Sequence, residues 1–163
     1  MQWLVKRAKG GFGIIINCAV HVCQSVQGWI NELGIYDDLH LPGLKRLSET
    51  LKTYENLNII QIFHGAARSA RALTGKQPMS ASIYKIDNQN FEEPREMSHK
   101  DISDILNKFA AATESAYKAG FDGVEIHEAN GYILTQFLST QSNLRKTSIV
   151  EALKTELVLF EKS

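Results

Sequence analysis

Three short segments along the chain predict β-strands, at residues 14–16, 58–63 and 124–127. The first of them, Ile14-Ile15-Ile16, is apolar throughout and follows a glycine-rich stretch. A continuous apolar run of this kind is typical of a strand that is covered on both faces, as in a parallel sheet.

The segments between these strands have the apolar spacing of amphipathic helices. Ser98, with Asp101 three residues later, forms a capping-box pattern, and Gly120 is placed to end the helix that Ser98 begins. Strands that alternate with helices indicate parallel βαβ units. The helices are predicted over residues 1–9, 42–55, 98–120 and 132–138.

Composition narrows the classes of function. The 163 residues are 44% hydrophobic and 22% charged, as in an ordinary globular domain. Lys+Arg and Asp+Glu both number 18, and this zero net charge argues against nucleic acid and acidic membranes as partners.

The chain has no apolar run of about 18 residues for a membrane span and no signal-peptide pattern, so we expect a cytoplasmic protein. Cys18 and Cys23 form no metal-ligand pattern and are expected to be free thiols.

Polar residues follow each of the predicted strands. In parallel α/β folds, ligands bind at the carboxyl ends of the strands. The segments at these ends are residues 17–19, 61–64 and 127–130. Because all three carry polar groups, we predict that they contribute to one binding site. The long connection of residues 64–97 has no clear periodicity, and such a connection usually forms or covers a functional site.

The richest of these segments, residues 120–132, resembles the signature of the old yellow enzymes, which are FMN-dependent ene-reductases and NADH:flavin oxidoreductases. In that family a similar strand ends in His-x-x-Asn, followed after one residue by Tyr, and this chain has His127-x-x-Asn130-x-Tyr132. The resemblance extends from residue 7 to about residue 145. It is carried in order by residues 7–13, 31–38, 42–47, 73–75, 94–97 and 134–139, and by Asn143 and Arg145.

By this resemblance the chain is an α/β protein, a partial (β/α)8 TIM barrel with roughly the second, third and fourth family strands and their helices. A complete barrel has eight strands and about 250 residues. The resemblance implies a partial NADH:flavin oxidoreductase domain at residues 1–146. The tail at residues 147–163 lacks the Tyr-Gly-Gly-Ser and Glu-Asn-Arg segments that the family has there. We predict a frameshift near Lys146; an unrelated natural tail, amphipathic over residues 149–160, is the alternative.

The resemblance also implies that a hydride passes from NADH or NADPH to FMN and then to a small-molecule acceptor such as an activated alkene. His127 and Asn130 would donate hydrogen bonds to the carbonyl oxygen of the acceptor, where negative charge develops as the hydride arrives. Tyr132 would supply a proton to the carbon next to that carbonyl. Without the resemblance, His127 is as well explained as a core histidine, and Tyr132 as an apolar anchor of the next helix.

The flavin itself is expected at the other two strand ends. Gln61 matches the glutamine that hydrogen-bonds the flavin ring, and the backbone of Cys18 and Ala19 matches the strand end that lies along it. The chain also departs from the family pattern in two places. The family's His-x-Gly-Arg is His64-Gly65-Ala66-Ala67 here, which loses an arginine at that place, and its Ser-Pro-Glu-Gly is Cys23-Gln24-Ser25-Val26.

Two other interpretations of the sequence stay open. The chain could be a non-catalytic remnant of such an enzyme, because a partial barrel leaves strand edges unpaired and lacks the phosphate site usually built after strands seven and eight. It could also be a different barrel enzyme, a metal-dependent hydrolase in which His21, His64 and His127 hold zinc.

Overall fold

Four of the described strands form one parallel sheet, which we describe from a computed structural model covering residues 1–86, 88 and 90–146. In chain order the strands are β1 (Ile14–Ile16), β2 (Val20–His21), β3 (Leu57–Phe63), β4 (Met79–Ser80), β5 (Arg95–Glu96) and β6 (Gly123–Ile126). The helices are α1 (Gln2–Lys9), α2 (Leu41–Leu51), α3 (Arg71–Thr74), α4 (His99–Lys118) and α5 (Ile133–Leu138). Short 3-10 turns lie at Gln24–Val26, Asp38–His40 and Ala66–Arg68. The tail and the predicted frameshift lie outside the described residues.

β3 is the centre of the main sheet, and every pairing in that sheet is parallel. β1 and β2 pair with one side of β3, and β6 pairs with the other side. The predicted order of parallel strands connected by helices is therefore confirmed. β4 and β5 form a separate two-stranded pair within the long connection of residues 64–97.

β1 and β2 are two halves of one strand, which is interrupted by a bulge. Residues 16 and 20 on this strand lie opposite residues 59 and 62 of β3. The bulged strand therefore has one residue more than β3 over the same length. The extra residue of a bulge is left out of the hydrogen-bond ladder. The carboxamide oxygen of Asn17 fills the gap by accepting the Gln61 backbone N–H at 3.0 Å.

Within the described part of the chain, the helices cover only one face of the main sheet. The main core packs Ile15 of β1 and Ile60 and Ile62 of β3 against α1, α2 and α4. On the opposite face of the same sheet, Ile14 and Ile16 are 57% and 44% exposed. In a closed (β/α)8 barrel this second face is the interior.

The long connection between β3 and α4 is held by the segment that follows α5. The buried guanidinium of Arg145 donates to the backbone carbonyls of Ala81 and Met97. The Leu144 N–H donates to the Ser82 hydroxyl at 2.9 Å. Residues 144–145 therefore join two parts of the connection, residues 81–82 and residue 97, through hydrogen bonds.

The largest difference from a predicted boundary is at the end of α2. α2 ends at Leu51 instead of Glu55, and the Thr53 hydroxyl donates to the Thr50 carbonyl at 2.8 Å just beyond the helix. Such local side-chain bonds offer the backbone an alternative to continuing a helix. β2 was missed within the connection of residues 19–40, because a strand of two residues is too short to show an apolar pattern.

α4 begins and ends as the sequence predicts. The Ser98 hydroxyl accepts the Asp101 N–H at 3.1 Å, and the Asp101 carboxylate accepts the Ser98 N–H at 2.8 Å, which completes the capping box. Arg95 pairs with the same carboxylate at 2.8 Å and holds the pKa of Asp101 well below its usual range. Gly120 follows the helix with a φ of +85°, a conformation that favours glycine.

We expect Ser98→Ala to lower the free energy of unfolding by about 1 kcal/mol, because it removes the side-chain oxygen that caps α4. Urea denaturation followed by far-ultraviolet circular dichroism measures this change. Ser103→Ala, at an exposed position of the same helix, is the matched control and should stay within about 0.5 kcal/mol of the parent. Equal destabilisation by both substitutions would contradict the capping role.

Candidate active site

The carboxyl ends of the strands lie at one edge of the sheet, because the strands run parallel. Gln61 of β3 is paired in register with Glu125 of β6. The bulge that contains Cys18 and Ala19 lies beside β3 on its other side. The three strand segments that the sequence singled out are therefore neighbours in the fold.

Gln61 bridges these strands through both its backbone and its side chain. Its backbone N–H donates to Asn17, and its side-chain amide donates to the Glu125 carboxylate. The second bond engages one of the two amide protons, and the side chain is half-buried on the face that the helices leave open. Next to it, Cys18 is exposed and Ala19 is buried.

His127 follows β6 and is held there by two backbone hydrogen bonds. Its own N–H donates to the Ile62 carbonyl at 3.0 Å, which extends the pairing of β6 with β3. Its Nδ1 accepts the Ala129 N–H at 3.1 Å. Because Nδ1 is an acceptor in this bond, the neutral ring carries its proton on Nε2, and that N–H is available as a donor to a ligand.

Four rings pack together at the strand ends, and we call them the aromatic cluster: Trp29, Phe63, His127 and Tyr132. Trp29 stacks on Phe63 with a centroid distance of 5.5 Å. Tyr132 makes edge contacts with both Phe63, at 5.0 Å, and His127, at 4.9 Å. Trp29 comes from the connection before α2, so this connection folds over the ends of β3 and β6. Sequence patterns gave no sign of this contact.

A tight turn connects His127 to Tyr132. Asn130 and Gly131 both have positive φ angles, of 56° and 70°. Left-handed geometry of this kind is accessible to asparagine and favoured by glycine. The turn is fixed by buried Gln136, whose amide donates to the Gly131 carbonyl at 2.6 Å and accepts the Ala67 N–H at 3.5 Å. Asn130 itself is exposed.

The hydroxyl group of Tyr132 lies in an environment that keeps it protonated. Burial raises the pKa of Tyr132, the negative charge of Glu32 raises it further, and the positive charge of Arg68 opposes both. The phenol therefore keeps its proton at neutral pH, which a general acid requires.

Glu32 is a buried carboxylate that the sequence analysis did not single out. Its Oε2 accepts the Gly28 N–H at 2.7 Å and lies 3.4 Å from Nδ1 of His21, which is also buried. Glu32 lies in the connection of residues 19–40, where no periodic pattern marks it as buried. Its charge reaches the site because the connection folds over the strand ends.

Arg68 is a second functional candidate that the sequence analysis missed. A Cβ added at Gly131 would lie 2.9 Å from its Nε and 3.0 Å from its Nη2, so the guanidinium lies against the backbone of the turn. Arg68 stands one residue after Ala67, the position at which the arginine of the family pattern is lost. Arg68 therefore supplies a guanidinium to this region from the position after the one where the family has its arginine.

His64 is not available as a metal ligand. It is fully buried, and its Nδ1 accepts the Ala66 N–H at 3.1 Å. Burial lowers the pKa of His64 to about 3, and the positive charge of Lys108 adds to this effect. Within residues 1–86, 88 and 90–146, no three His, Cys, Asp or Glu side chains are arranged to hold a metal ion. The zinc interpretation thus finds no ligand set in this part of the chain.

Comparison with known proteins places this geometry in a family context. Residues 1–148 match the family described as NADH:flavin oxidoreductase / NADH oxidase. Curated relatives include an NADPH dehydrogenase of Clostridium acetobutylicum, 37% identical over 139 residues, and the NADH:acrylate oxidoreductase of Vibrio harveyi, 38% identical over 137 residues. The alignments cover 85% and 83% of this chain but only 40% and 14% of these relatives. The chain thus spans less than half the length of the curated relatives it matches.

Solved structures share the fold. An old yellow enzyme homologue from Zymomonas mobilis has a TM-score of 0.83 and 26% identity, with 91% of this chain and 43% of that chain covered. A 2-naphthoyl-CoA reductase in complex with 2-naphthoyl-CoA has a TM-score of 0.88 over 96% of this chain and 26% of that chain. Its identity of 24% supports the fold alone. The predicted resemblance to old yellow enzymes and the partial (β/α)8 barrel are confirmed.

The buried, neutral His64 should make the fold sensitive to acid. Its pKa falls from 6.5 in the unfolded chain to about 3 in the fold, so between these pH values only the unfolded chain takes up the proton. We expect His64 to contribute a loss of about 1 kcal/mol of stability per pH unit as the pH falls through this window.

His64→Asn removes this titration and keeps an oxygen that can accept the Ala66 N–H. Urea denaturation at pH 7, 6, 5 and 4 (roughly spanning the upper part of the window) should give a shallower pH dependence for this variant. His99→Asn, at an exposed position, is the control and should keep the parent slope. A slope for His64→Asn parallel to that of the parent would show that the fold does not lower the pKa of His64.

Proposed function

This chain belongs to the NADH:flavin oxidoreductase / NADH oxidase family, and we propose that it carries acceptor-binding residues of an FMN-dependent oxidoreductase. The reaction passes a hydride from NADH or NADPH through FMN to a small-molecule acceptor, such as an activated alkene. The names of two relatives, an NADPH dehydrogenase and an NADH:acrylate oxidoreductase, support a reduced nicotinamide as the hydride source.

The observation that carries this proposal is the placement of His127 against Tyr132 at the strand ends. The two rings are in edge contact at 4.9 Å, and the Nε2–H of the neutral His127 ring is not engaged by the bond that orients the imidazole. We assign His127 and Asn130 as the donors to the carbonyl oxygen of the acceptor. Fixed donors at the oxygen where negative charge develops lower the barrier to hydride arrival.

Tyr132 is assigned as the proton donor to the carbon next to the acceptor carbonyl. Its raised pKa keeps the proton on the phenol at neutral pH. Its contacts with Phe63 and His127 restrict the ring to one orientation. Transfer of this proton completes the reduction of the alkene at the carbon that does not receive the hydride.

Gln61 of β3 and the adjoining bulge at Cys18 and Ala19 are compatible with the ring of FMN. The Gln61 side chain keeps a carbonyl oxygen and a second amide proton beyond its bond to Glu125, and a flavin ring presents both acceptors and a donor. The bulge at Cys18 and Ala19 leaves backbone groups out of the ladder. We assign these three residues to the flavin; when bound, FMN supplies the hydride carrier between the nicotinamide and the acceptor.

A non-catalytic remnant is the second candidate, and one observation favours it. The open face of the sheet exposes Ile14 and Ile16, where a complete barrel has packed interior side chains.

We keep the boundary at Lys146 between the domain of residues 1–146 and the tail of residues 147–163 as a proposal, which the family match over residues 1–148 supports. None of the described helices is long and apolar enough to cross a membrane; a cytoplasmic location stays a prediction.

Binding of FMN to the purified full chain separates the two candidates. We expect the chain to quench the fluorescence of added FMN at a saturable site. Gln61→Leu should raise the dissociation constant about 3- to 10-fold, as expected for the loss of one or two hydrogen bonds. Gln141→Leu, at an exposed position, should leave it unchanged. Absence of saturable quenching by the folded parent chain would favour the remnant.

Substitution of Tyr132 tests the proton donor. With 2-cyclohexenone as acceptor, Tyr132→Phe should lower kcat by about 100-fold or more, the usual contribution of a general acid. The rate of FMN reduction by NADPH should not change, because no proton is delivered to an acceptor in that half-reaction. Tyr117→Phe, 81% exposed on α4, is the control. An unchanged kcat for Tyr132→Phe would rule out the assigned role.

A further inference from the structure

Arg68 carries a positive charge that has no carboxylate partner among the described residues. Its Nε is buried and makes no hydrogen bond within that part of the chain. Three other arginines, all outside the site, are paired with carboxylates. These pairs are Arg71 with Glu92 at 3.0 Å, Arg95 with Asp101 at 2.8 Å and Arg145 with Glu96 at 3.4 Å.

The 3-10 turn Ala66–Arg68 holds this guanidinium beside the acceptor-binding residues. The turn follows β3 directly, and the Arg68 N–H bonds to the Gly65 carbonyl at 3.0 Å. The guanidinium lies against Gly131, at a separation that leaves no room for a Cβ there. Gly131 lies between Asn130 and Tyr132 in the chain, and the charge of Arg68 also acts on the Tyr132 hydroxyl.

The surroundings of Arg68 are largely aromatic. Its Cζ lies 5.7 Å from the centre of the Phe91 ring, and its charge lowers the pKa values of Tyr84 and Tyr132, against the effect of burial. In such a partly desolvated site an anion is attracted more strongly than in water. Among the described residues, Glu32 is the carboxylate whose charge also acts on Tyr132, and it is engaged by the Gly28 N–H and lies beside His21.

We propose that Arg68 binds the carboxylate of the acceptor, so that the preferred substrates are activated alkenes that carry a carboxylate apart from the activating carbonyl. This inference rests on the proposed function, and it adds the substrate class. A guanidinium presents paired N–H donors in a plane that matches the two oxygens of a carboxylate. The carbonyl of such an acceptor is bound by His127 and Asn130, and its carboxylate is bound on the other side of the turn by Arg68.

A pair of matched esters tests the proposal. Monomethyl fumarate and dimethyl fumarate contain the same double bond, but only the first has a carboxylate. With the full chain loaded with FMN, Arg68→Gln should raise KM for the monoester about 10- to 100-fold, as expected for hydrogen bonds to a charged group. KM for the diester should stay within about 2-fold. Arg68→Lys, which keeps the charge but not the planar fork, should be intermediate.

Arg71→Gln is the matched control, because Arg71 is paired with Glu92 outside the site. It should leave both KM values unchanged. An equal increase for the two esters in Arg68→Gln would overturn the proposal, since it would indicate a structural role. An increase in KM for NADPH without one for the monoester would also overturn it, since the anion bound by Arg68 would then belong to the nicotinamide cofactor.

A binding measurement without turnover separates this inference from the proposed function. Monomethyl succinate is the saturated counterpart of the monoester and cannot be reduced. Saturation-transfer NMR on the full chain should detect it with the parent and with Arg71→Gln, and the signal should be lost with Arg68→Gln, whose melting temperature confirms folding. If neither fumarate ester is reduced but this dependence holds, the proposed function fails and the anion site stands. Equal binding by Arg68→Gln and the parent would refute the anion site.

Discussion

The hydrogen bond from the Gln61 backbone to the Asn17 side chain is the interaction on which the site geometry depends. A parallel ladder that loses register by one residue leaves a backbone N–H without its usual acceptor, and the carboxamide of Asn17 supplies one. The strand then continues as β2, in a register shifted by one residue relative to β1. Cys18 and Ala19 therefore lie beside Gln61 in the bulge, which leaves backbone groups out of the hydrogen-bond ladder. A strand that ran straight through this position would offer no free backbone to a ligand.

Above this bulge, two opposite charges act on the Tyr132 hydroxyl. Burial raises the pKa of the phenol, the charge of Glu32 raises it further, and the charge of Arg68 lowers it. Glu32 belongs to the connection that folds over the strand ends. Arg68 belongs to the 3-10 turn that follows β3. A proton donor and a cation can therefore lie side by side without the cation removing the proton from the phenol.

Local features of the fold were predictable from the sequence, and contacts between distant segments were not. The capping box at Ser98 and the turn at Gly120 depend on neighbours within a few residues, and both are present as predicted. The short segment from His127 to Tyr132 likewise carries its own pattern, and its two rings do meet. Trp29, Glu32 and Arg68 reach the same place through tertiary folding, where no periodicity marks them. Arg68 was also hidden by a shift of one position from the expected arginine.

Within the described residues, the packing of the main sheet is one-sided. Ile15, Ile60 and Ile62 are buried against the helices, whereas Ile14 and Ile16 on the other face are exposed. Burial of apolar area on the helix side stabilises the strands, since the hydrophobic contribution scales with the area removed from water. Gln61, which we assign to the flavin, lies on this open face, and the aromatic cluster lies at the carboxyl ends of the strands. Closure of that face by further barrel strands would then add both the remaining apolar burial and the remaining contacts to the cofactor, so that completion of the core and completion of the site are the same event.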